Sequence, residues 1–461
     1  MSDKAHSGRV VIAGAGCAGL AAGIALQKKG FKVTIIEKLN RVGGLAGGIE
    51  IAGNTYEYGP HIFHTTDPEV MEDVKRIAGK HLIHFEKTIQ IKFLGNYFAF
   101  PLTLKDILSK LPKLTVIQAG LSFCKYFLIG AIEGKKALIN SEKVLQRLYG
   151  DVLYRIFFKD YIAKVWGIEP VAMAPSFANQ RIPKLDLLEL INKIKIMIFG
   201  HQKKEVSTKD YVEKVEGENY TTKKGFSLIV ESFANEFKAN GGVLQFNTEL
   251  RSVKVQNSRC VGVEVKSATE VETLACDHFI STIPISEFPA LIQPTCSKEI
   301  LDAAALLKFR GVLFVGVLVN KAEVLPASFM YFRDKSFNRI TDLGKFSVEV
   351  KPPGATLLVA EITCQPTDEI WKNQELAIKT VLQELYEENL LTPADVLEAH
   401  TFHAEHGYPI YTVGYEKNLD TVLTGLSQYE NIHSIGRQGQ FAYVNTHIAM
   451  KMGYEVARKI G

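Results

Sequence analysis

Short apolar runs alternate with amphipathic stretches along this chain, and the N-terminal part shows the pattern most clearly. Residues 9–13 (RVVIA) predict a buried parallel strand, because a short β-branched run that stops at a glycine is typical of such strands. The alanine-rich stretch up to Gly30 predicts a helix, and residues 32–36 (KVTII) predict a second strand that ends at Glu37. This strand–helix–strand order indicates a parallel α/β unit.

The rest of the chain continues this mixture without a Pro-, Ser- or Gln-rich linker and without a repeat. Apolar positions at helical spacing predict helices over 67–82, most of 103–200, 226–240, 374–390 and about 445–458. Alternating or continuous apolar positions predict a β-meander over 243–280, strands at 311–319 and 356–362, and a strand that ends at Ile435 before the turn 436–439. The pattern therefore indicates interwoven α/β domains.

Two longer apolar runs raise the question of a membrane segment. Residues 10–27 follow Lys4 and Arg9 as a signal peptide would, but they contain patterned glycines and lead directly into another strand. Residues 114–132 are long enough to span a bilayer, yet they contain Lys125 and lack a flanking pattern that would fix an orientation. A buried helix, or one that lies against a membrane surface, is the favoured interpretation.

Composition narrows the class of protein without identifying a partner. The 461 residues are 46% hydrophobic and 23% charged, which suits two or three globular domains and excludes global disorder. The net charge of +4 is too small to indicate nucleic-acid binding. The six cysteines are scattered without a CxxC pair, so neither a zinc site nor a disulfide scaffold is indicated, and we expect reduced thiols in the cytoplasm.

The turn after the first strand carries the most specific local signal. Gly14, Gly16 and Gly19 form a GxGxxG sequence between the predicted strand and helix. In a dinucleotide-binding turn, the first glycine allows the tight bend, the second lets a pyrophosphate approach the backbone, and the third allows close helix–strand packing. Helix N–H groups would face the phosphates, and Glu37 would accept the ribose hydroxyls. Because these features agree, we predict dinucleotide binding.

The residues that follow Glu37 indicate which dinucleotide is bound. Residues 41–44 (RVGG) resemble the RxGG extension of the glutathione-reductase-type FAD proteins. A second glycine turn would let the backbone reach the flavin side of the pyrophosphate, with Arg41 supplying a cation. We therefore predict non-covalent FAD, since no Cys or His lies in an obvious flavinylation context.

Further motifs, in consistent order along nearly the whole chain, resemble those of the FAD-dependent amine oxidase and protoporphyrinogen oxidase superfamily. They are the RVGG turn, residues 282–284 (TIP) after the meander, and residues 436–437 (GR). Within the superfamily, the resemblance is closest to the UDP-galactopyranose mutase branch. It depends on residues 59–64 (GPHIFH), 164–167 (KVWG) with Arg181, 408–411 (YPIY) and 436–439 (GRQG).

The resemblance implies an α/β fold with a glutathione-reductase-type FAD-binding Rossmann domain, a mixed β-sheet substrate domain and a helical insertion. The implied FAD-binding parts are 1–66, 201–285 and 426–461, the substrate-domain parts are 67–102 and 286–425, and the helical insertion is 103–200. The implied cofactor contacts are Gly14, Gly16, Gly19, Glu37, Lys38, Arg41, Gly43, Gly44, His61, Val253, Gly436, Arg437 and Asn445.

His61 corresponds to a histidine that lies against the flavin ring in the mutases, where a group that titrates near neutrality can sense the redox state. His64 is interpreted as a loop histidine, and without a third ligand the two histidines indicate no metal site. The helix at 445–458 would bring its N-terminus to the flavin pyrimidine, whose charge becomes negative on reduction.

The resemblance also implies catalytic roles for His61, Arg181 and Arg339. The implied substrate-binding residues are Trp166, Tyr411, Tyr415 and Tyr443. A Trp offers a flat surface to a nucleobase or sugar, and an Arg offers a bidentate fork to a diphosphate. The alternatives are that Trp166 is a core residue and that Arg339 is a solvated arginine near a turn. Tyr408 and Pro409 are expected to shape the turn.

Two departures from the mutase pattern leave the reaction open. Residues 441–443 read Phe-Ala-Tyr where mutases carry an aromatic-Arg-Tyr trio, and His447 stands at an acidic position. The first hypothesis is a mutase, in which reduced flavin N5 attacks the anomeric carbon of a nucleotide sugar and displaces the diphosphate, after which the opened sugar recloses with a different ring size. The alternative is an oxidoreductase that takes a hydride from an amine, a porphyrinogen-like ring or an alkene, which requires an apolar tunnel and no diphosphate clamp.

The partners follow from these hypotheses. The substrate is expected to be a small molecule, namely a nucleotide sugar. Only one GxGxxG sequence is present, so electrons would come from an external reductant such as NAD(P)H. No nucleic acid is expected, and peripheral membrane contact stays a minor alternative.

Overall fold

In the computed structural model of the protein, residues 8–182 and 218–460 are described. The end of the predicted helical insertion, from 183 to 200, and the beginning of the next predicted FAD-binding part, from 201 to 217, lie outside the described residues.

A five-stranded parallel sheet forms the centre of the nucleotide-binding domain. From one edge to the other its strands are Ile432–Ser434, His278–Ser281, Arg9–Ala13, Lys32–Ile36 and Val243–Gln245. The central strand is apolar and almost wholly buried, as predicted, because parallel strands lie on both sides of it. The sheet therefore joins stretches of chain that are distant in sequence.

Four helices share one hydrophobic core with this sheet, namely Cys17–Lys28, Pro68–Ala78, Ser227–Ala239 and Thr446–Lys459. The first and the last approach each other at Gly453, where a Cβ atom would lie 2.5 Å from the carbonyl oxygen of Ala18. The predicted boundary at residue 66 assigned the second helix to the substrate domain. Its packing places it in the nucleotide-binding domain instead, because Val70 and Val74 are buried in this core.

The predicted meander forms a second sheet. Its strands, in spatial order, are Val271–Ala275, Arg259–Lys266, Glu249–Gln256 and Ile292–Gln293. The first three are antiparallel, and the fourth pairs in parallel with Glu249–Gln256.

A seven-stranded mixed sheet forms the part of the chain that is predicted to be the substrate domain. Its strands, in spatial order, are Val396–Pro409, Phe309–Val319, Thr356–Cys364, Arg339–Asp342, Phe329–Phe332, Ile89–Phe93 and Asn96–Ala99. The helix Gln374–Glu387 buries Ala377, Val381 and Leu385 against it. The remaining short elements are the strand pairs Gly48–Ile51 with Asn54–Glu57 and Leu82–His84 with Tyr220–Thr222, and the helices Lys298–Leu306, Glu369–Lys372, Tyr415–Ser427 and Gly436–Gly439.

The described part of the insertion is helical, as predicted. Its helices are Leu104–Lys110, Lys113–Glu133, Ser141–Leu153, Asp160–Trp166 and Pro175–Arg181, with a π-helical turn at Tyr154–Lys159. Gly150 interrupts the third of them with a φ of 72°, a left-handed conformation that favours glycine.

The helix Lys113–Glu133 contradicts one expectation for the apolar run 114–132. Ala119 is the one residue of this helix that is buried, so the interpretation as a buried helix is wrong. Within residues 8–182 and 218–460, this is the one helix whose length and mean hydropathy of 1.4 would allow it to cross a membrane.

Candidate active site

Two glycine turns lie side by side at the carboxyl end of the central strand. Gly14 has a φ of 108°, and a Cβ atom on Gly19 would lie 2.1 Å from the Gly14 carbonyl oxygen, so both positions require glycine. Gly16 pairs with Gly43 across the two turns. A Cβ atom on Gly16 or Gly44 would come no nearer than 3.9 Å to any other atom, so the space in front of the turns is open.

Glu37 and Arg41 border this open space. The Glu37 carboxylate accepts the N–H groups of Ala15 at 2.8 Å and Leu39 at 2.9 Å, so it lies across the first turn, where a ribose would meet it. Arg41 donates to the Tyr58 hydroxyl at 2.6 Å, and this bond fixes the guanidinium beside the second turn.

His61 lies on the loop that follows the strand Asn54–Glu57, with its ring 5.5 Å from the Phe226 ring. Burial, together with the cations of Arg339 and Arg437, lowers the pKa of His61 to about 3. The imidazole is therefore neutral at neutral pH. Its Nδ1 atom is buried and has no hydrogen-bond partner among the described residues.

Arg339 forms a buried ion pair beside this loop. It donates to the Glu361 carboxylate through two nitrogens, at 2.6 and 2.8 Å, and Glu361 faces it on the adjacent strand. The Glu361 side chain is 1% exposed. Although burial opposes it, the Glu361 charge holds the pKa of Arg339 well above its usual range. The alternative of a solvated arginine at position 339 is therefore wrong.

Tyr443 connects two further arginines. The guanidinium carbons of Arg181 and Arg437 lie 3.5 and 4.0 Å from the centre of its ring. The backbone N–H of Tyr443 donates to the Tyr411 hydroxyl at 2.8 Å, and Arg437 donates to the Gly407 carbonyl at 2.7 Å. Contacts of a guanidinium with an aromatic face are favourable, and they hold all three side chains in place.

A cavity opens between the substrate-domain sheet and the helical insertion. Sixteen of its twenty described lining residues are apolar or aromatic, and the others are Arg181, Arg333, Arg339 and Asn338. No Asp or Glu is among these described lining residues. The cavity thus combines aromatic walls with positive charge at the end formed by Tyr443.

Trp166 and Tyr408 both line this cavity. The Trp166 ring lies 4.5 Å from Phe177 and 6.0 Å from Tyr408, so one side of the indole packs in the core while the residue also borders the cavity. Tyr408 does more than shape a turn, because its hydroxyl lies 3.3 Å from the Glu361 carboxylate. Pro409 is the last residue of the strand Val396–Pro409.

Tyr411 and Tyr415 do not line the cavity in the described part of the chain. They are 4% and 8% exposed and pack in the core with Phe441, with their ring centres 4.7 Å apart. Burial raises the pKa of Tyr411 to about 12. Tyr411 contacts the site through its hydroxyl, which accepts the backbone N–H of Tyr443.

Of the other predicted cofactor residues, two lie beside the first and last helices, one is buried in the meander and one is on the surface. Gly436, with a φ of 82°, lies against the first helix, and Asn445 is the N-cap of the last helix. Val253 is fully buried in the meander, and Lys38 pairs with Glu249 at 2.9 Å on the surface.

Sequence reasoning missed several side chains of the site, of which Glu361 is the most informative. It is the one carboxylate in the otherwise apolar strand 356–364 (TLLVAEITC), and a buried charge in such a strand requires a partner. Lys164 donates to four backbone carbonyls behind the cavity at 2.8–3.2 Å, and burial lowers its pKa to about 8. His64 and His447 form a second unpredicted contact, with ring centres 5.4 Å apart.

The residues around the glycine turns fit FAD. The helix Cys17–Lys28 begins at Gly16 without a side-chain cap, so its N–H groups remain for phosphate oxygens. The open space at Gly16 and Gly44 allows backbone contact with a pyrophosphate. Farther along, Nδ1 of His61 and Nε of Arg437 are buried without a hydrogen-bond partner in the described chain, as expected for atoms that face a flavin.

Comparison with solved structures extends the agreement to the whole fold. Reduced UDP-galactopyranose mutase superposes with a TM-score of 0.81 at 20% identity, over 98% of this chain and 95% of that one. Putrescine oxidase superposes with a TM-score of 0.64 at 15% identity, over 98% and 99%. At such identities the likeness concerns the fold.

Curated relatives include both mutases and desaturases. A protein named "Probable UDP-galactopyranose mutase" of Klebsiella pneumoniae is 26% identical over 38% of this chain and 44% of its own length. The dTDP-fucopyranose mutase of Escherichia coli is 28% identical over 38% and 46%. The neurosporene-forming phytoene desaturase of Cereibacter sphaeroides is 23% identical over 58% and 52%. The chain thus spans about half the length of these relatives.

Family profiles cover most of the sequence. An NAD(P)-binding Rossmann-like domain matches residues 12–77, and the flavin-containing amine oxidoreductase family matches residues 198–460. The predictions of the superfamily, the α/β fold and the cofactor are confirmed. The chain is therefore a flavin-dependent enzyme that belongs to the flavin-containing amine oxidoreductase family, and its cofactor is FAD.

Proposed function

We propose that the enzyme acts on a nucleotide-diphosphate sugar in a reaction like that of UDP-galactopyranose mutase. The observation that supports this most directly is the positive charge at the inner end of the cavity. There, the guanidinium groups of Arg181 and Arg437 lie against the Tyr443 ring, and Arg339, which also lines the cavity, pairs with the Glu361 carboxylate. A dianionic diphosphate would complement the remaining charge.

The same charge argues against an amine substrate. Two like charges about 4 Å apart repel by roughly 4 kcal/mol at the effective dielectric constant of a protein surface. An ammonium group in this cavity would face Arg181 without a carboxylate in the described lining, because Glu361 already pairs with Arg339. An anionic substrate avoids this repulsion.

The aromatic walls suit the other half of a nucleotide sugar. Trp166 and Tyr408 present rings on which a nucleobase or a sugar face can stack. The cavity thus offers a cationic end and an aromatic side to one ligand, which is the combination that a nucleotide sugar requires.

In such a reaction, bound FAD in its reduced form supplies the nucleophile at N5. The chain's residues would bind and orient the substrate. Arg181 would hold the diphosphate, and the neutral imidazole of His61 would offer a hydrogen-bond donor and an acceptor to the ring system beside it. The ion pair of Arg339 with Glu361 would fix the wall against which the loop of His61 packs. Tyr411 and Tyr415 would support Tyr443 from behind.

A second candidate function is favoured by the pairing of Arg339. Because Glu361 compensates the Arg339 charge, the cavity is less cationic than two diphosphate-binding arginines would make it. The aromatic walls would then accept a large apolar molecule from which an oxidoreductase removes a hydride, and desaturases are among the relatives. In either case a small-molecule substrate, an external reductant or oxidant, and a cytoplasmic setting with six free thiols are part of the proposal.

An anaerobic titration distinguishes the two functions. A mutase should show spectral perturbation by nucleotide sugars, require pre-reduced flavin, and turn over without stoichiometric oxygen consumption. Bleaching of oxidised flavin by a reduced ring compound or an alkene, with no response to any nucleotide sugar, would refute the mutase.

A substitution then tests the binding site itself. Arg181→Ala should weaken nucleotide-sugar binding by about ten-fold to a hundred-fold, since a charge-assisted contact contributes roughly 1.5–3 kcal/mol. Arg339→Lys, which retains the charge, should weaken it less. The FAD content should stay unchanged in both. Arg251→Ala, at an exposed arginine of the meander, is the matched control. Unaltered affinity in Arg181→Ala would contradict the diphosphate role.

A further inference from the structure

The helix Lys113–Glu133 exposes an apolar face that the proposed function does not use. Its members recur at helical spacing and are Leu114, Ile117, Leu121, Leu128 and Ile132. Each is more than half exposed, up to 86% for Ile132. Phe127 of the same helix and Leu108 of the preceding helix are also more than half exposed. Soluble monomers rarely expose so large a contiguous apolar surface without an interaction partner.

The opposite side of this helix is fixed to the protein. Ala119 is buried, and the Ser122 hydroxyl accepts the backbone N–H of Asp151 at 2.8 Å. At Gly150 the helix Ser141–Leu153 approaches so closely that a Cβ atom would lie 2.7 Å from the Phe123 backbone nitrogen. A helix held along its length in this way cannot also cross a bilayer. It can lie on one.

The segment that carries the apolar face has an excess of positive charge. Residues 103–140 contain six lysines and two carboxylates, an excess of four that equals the net charge of the whole chain. Both carboxylates are paired, Asp106 with Lys110 and Glu133 with Arg147. Lys113, Lys125 and Lys136 are exposed. An apolar strip with lysines beside it and at its ends complements the acyl chains and anionic headgroups of a phospholipid surface.

The position of this face relates it to the cavity. The helix Ser141–Leu153 packs against Lys113–Glu133 on one side, and its residue Tyr149 lines the cavity on the other. Leu102, which precedes the helix Leu104–Lys110, also lines the cavity. One helical layer therefore separates the apolar face from the aromatic cavity.

We propose that the enzyme docks on anionic phospholipid bilayers through the apolar face of the helix Lys113–Glu133, which lies parallel to the membrane surface. The apolar side chains enter the boundary between headgroups and acyl chains, and the lysines contact the headgroup phosphates. This inference is independent of the reaction that the active site performs.

Vesicle flotation with the FAD-loaded full chain tests the proposal. The protein should float with vesicles of phosphatidylcholine and phosphatidylglycerol, bind pure phosphatidylcholine more weakly, and dissociate as salt rises. Leu121→Asn/Leu128→Asn/Ile132→Asn should lower the partition coefficient by at least about ten-fold, because these side chains would no longer favour the bilayer. The control Val271→Asn/Leu306→Asn/Leu397→Asn changes exposed apolar residues elsewhere and should float like the wild type.

A second variant protects the test against misfolding. Lys113→Gln/Lys125→Gln/Lys136→Gln retains the apolar face and should lose the preference for anionic vesicles while keeping the FAD content and melting temperature. Failure of the wild type to float, or flotation unchanged by both triple variants, would overturn the proposal. So would a dimer in solution that the asparagine variant dissociates, since a second copy would then cover the face. Protection of residues 113–133 from hydrogen exchange without lipid would overturn it as well, because another part of the chain would then cover them.

Discussion

Gly16 and Gly19 occupy the same turn, but the structure constrains them differently. A side chain on Gly19 would collide with the Gly14 carbonyl oxygen, whereas one on Gly16 would enter only the space reserved for the cofactor. We therefore expect Gly16→Val to fold and to lose FAD, because the side chain blocks the approach of the pyrophosphate. The ratio of flavin to protein absorbance and a circular-dichroism spectrum measure the two effects.

Gly19→Val is the contrasting variant. It should fail to fold or accumulate poorly, since the first helix could no longer pack on the central strand. A Gly16→Val protein that retains full flavin would refute the assignment of the turn.

The ion pair of Arg339 and Glu361 leads to a prediction about stability. Glu361→Gln would leave a buried guanidinium without its counter-charge, and loss of one partner of a buried pair typically costs about 3–5 kcal/mol. Urea denaturation should show this loss in the free energy of unfolding. Arg339→Met/Glu361→Met removes both charges and should recover much of it. Glu398→Gln, at an exposed carboxylate on the strand Val396–Pro409 of the same sheet, should change little.

Glu57 predicts a pH dependence. Burial raises the pKa of this carboxyl to about 8, even though the backbone N–H of Phe226 donates to it. At pH values between the unfolded and folded pKa of Glu57, the native state binds more protons than the unfolded state. The contribution of Glu57 to the free energy of unfolding is therefore fully present at low pH and is lost as the pH rises through about 8. Glu57→Gln should flatten this slope between about pH 5 and pH 8.5 in urea titrations. An identical slope in both proteins would contradict the raised pKa.

At the scale of secondary-structure elements, the sequence was informative wherever the periodicity was long. The meander, the strands Phe309–Val319 and Thr356–Cys364 and the helix Gln374–Glu387 all lie close to their predicted positions. The packing between elements that are distant in sequence could not be predicted from periodicity. The helix Pro68–Ala78 carries an amphipathic pattern that is equally compatible with either domain, and only its burial against the nucleotide-binding core decides the matter.

The same limit applied to the site. Spacing predicted cofactor contacts for Gly14, Gly16 and Glu37, because such contacts depend on residues close together in sequence. The partner of Arg339 could not be inferred from spacing, since strand register brings Glu361 opposite it from 22 residues away. Likewise, the resemblance implied that Tyr411 binds the substrate, but in the structure Tyr411 is buried in the core.

The helical insertion predicts an element-scale motion. Trp166 and Arg181 lie on helices that close one side of the cavity, and the chain leading to them contains a bend at Gly150 followed by a π-helical turn. We expect the backbone amides of residues 141–166 to exchange hydrogen more slowly when a nucleotide sugar binds, because the insertion closes on the ligand. Mass spectrometry of peptic peptides measures this, with the meander 249–266 as an internal control. Unchanged exchange in 141–166 at saturating ligand would count against closure.

At the scale of the whole molecule, the proposed cofactor site assembles from chain segments that are far apart in sequence. The glycine turns belong to residues 14–44, whereas Arg437 and Asn445 come from the last strand–turn–helix unit. Gly453 holds that unit against the first helix by close backbone contact. In the proposed site, FAD would connect the beginning and the end of the chain, and its binding free energy should contribute to the stability of this whole arrangement.

This connection predicts a strong dependence of thermal stability on the cofactor. A ligand that binds only the folded state adds RT ln(1 + [L]/Kd), about 2.7 kcal/mol at a concentration 100 times Kd. The FAD-depleted protein should therefore melt several degrees lower, and added FAD should restore the melting temperature in a dose-dependent way. FMN is the matched control, because it lacks the adenylate half that the turn at Gly14 and the carboxylate of Glu37 would hold. Restoration by FMN as fully as by FAD, or equal melting with and without FAD, would show that the two ends of the chain do not depend on the dinucleotide.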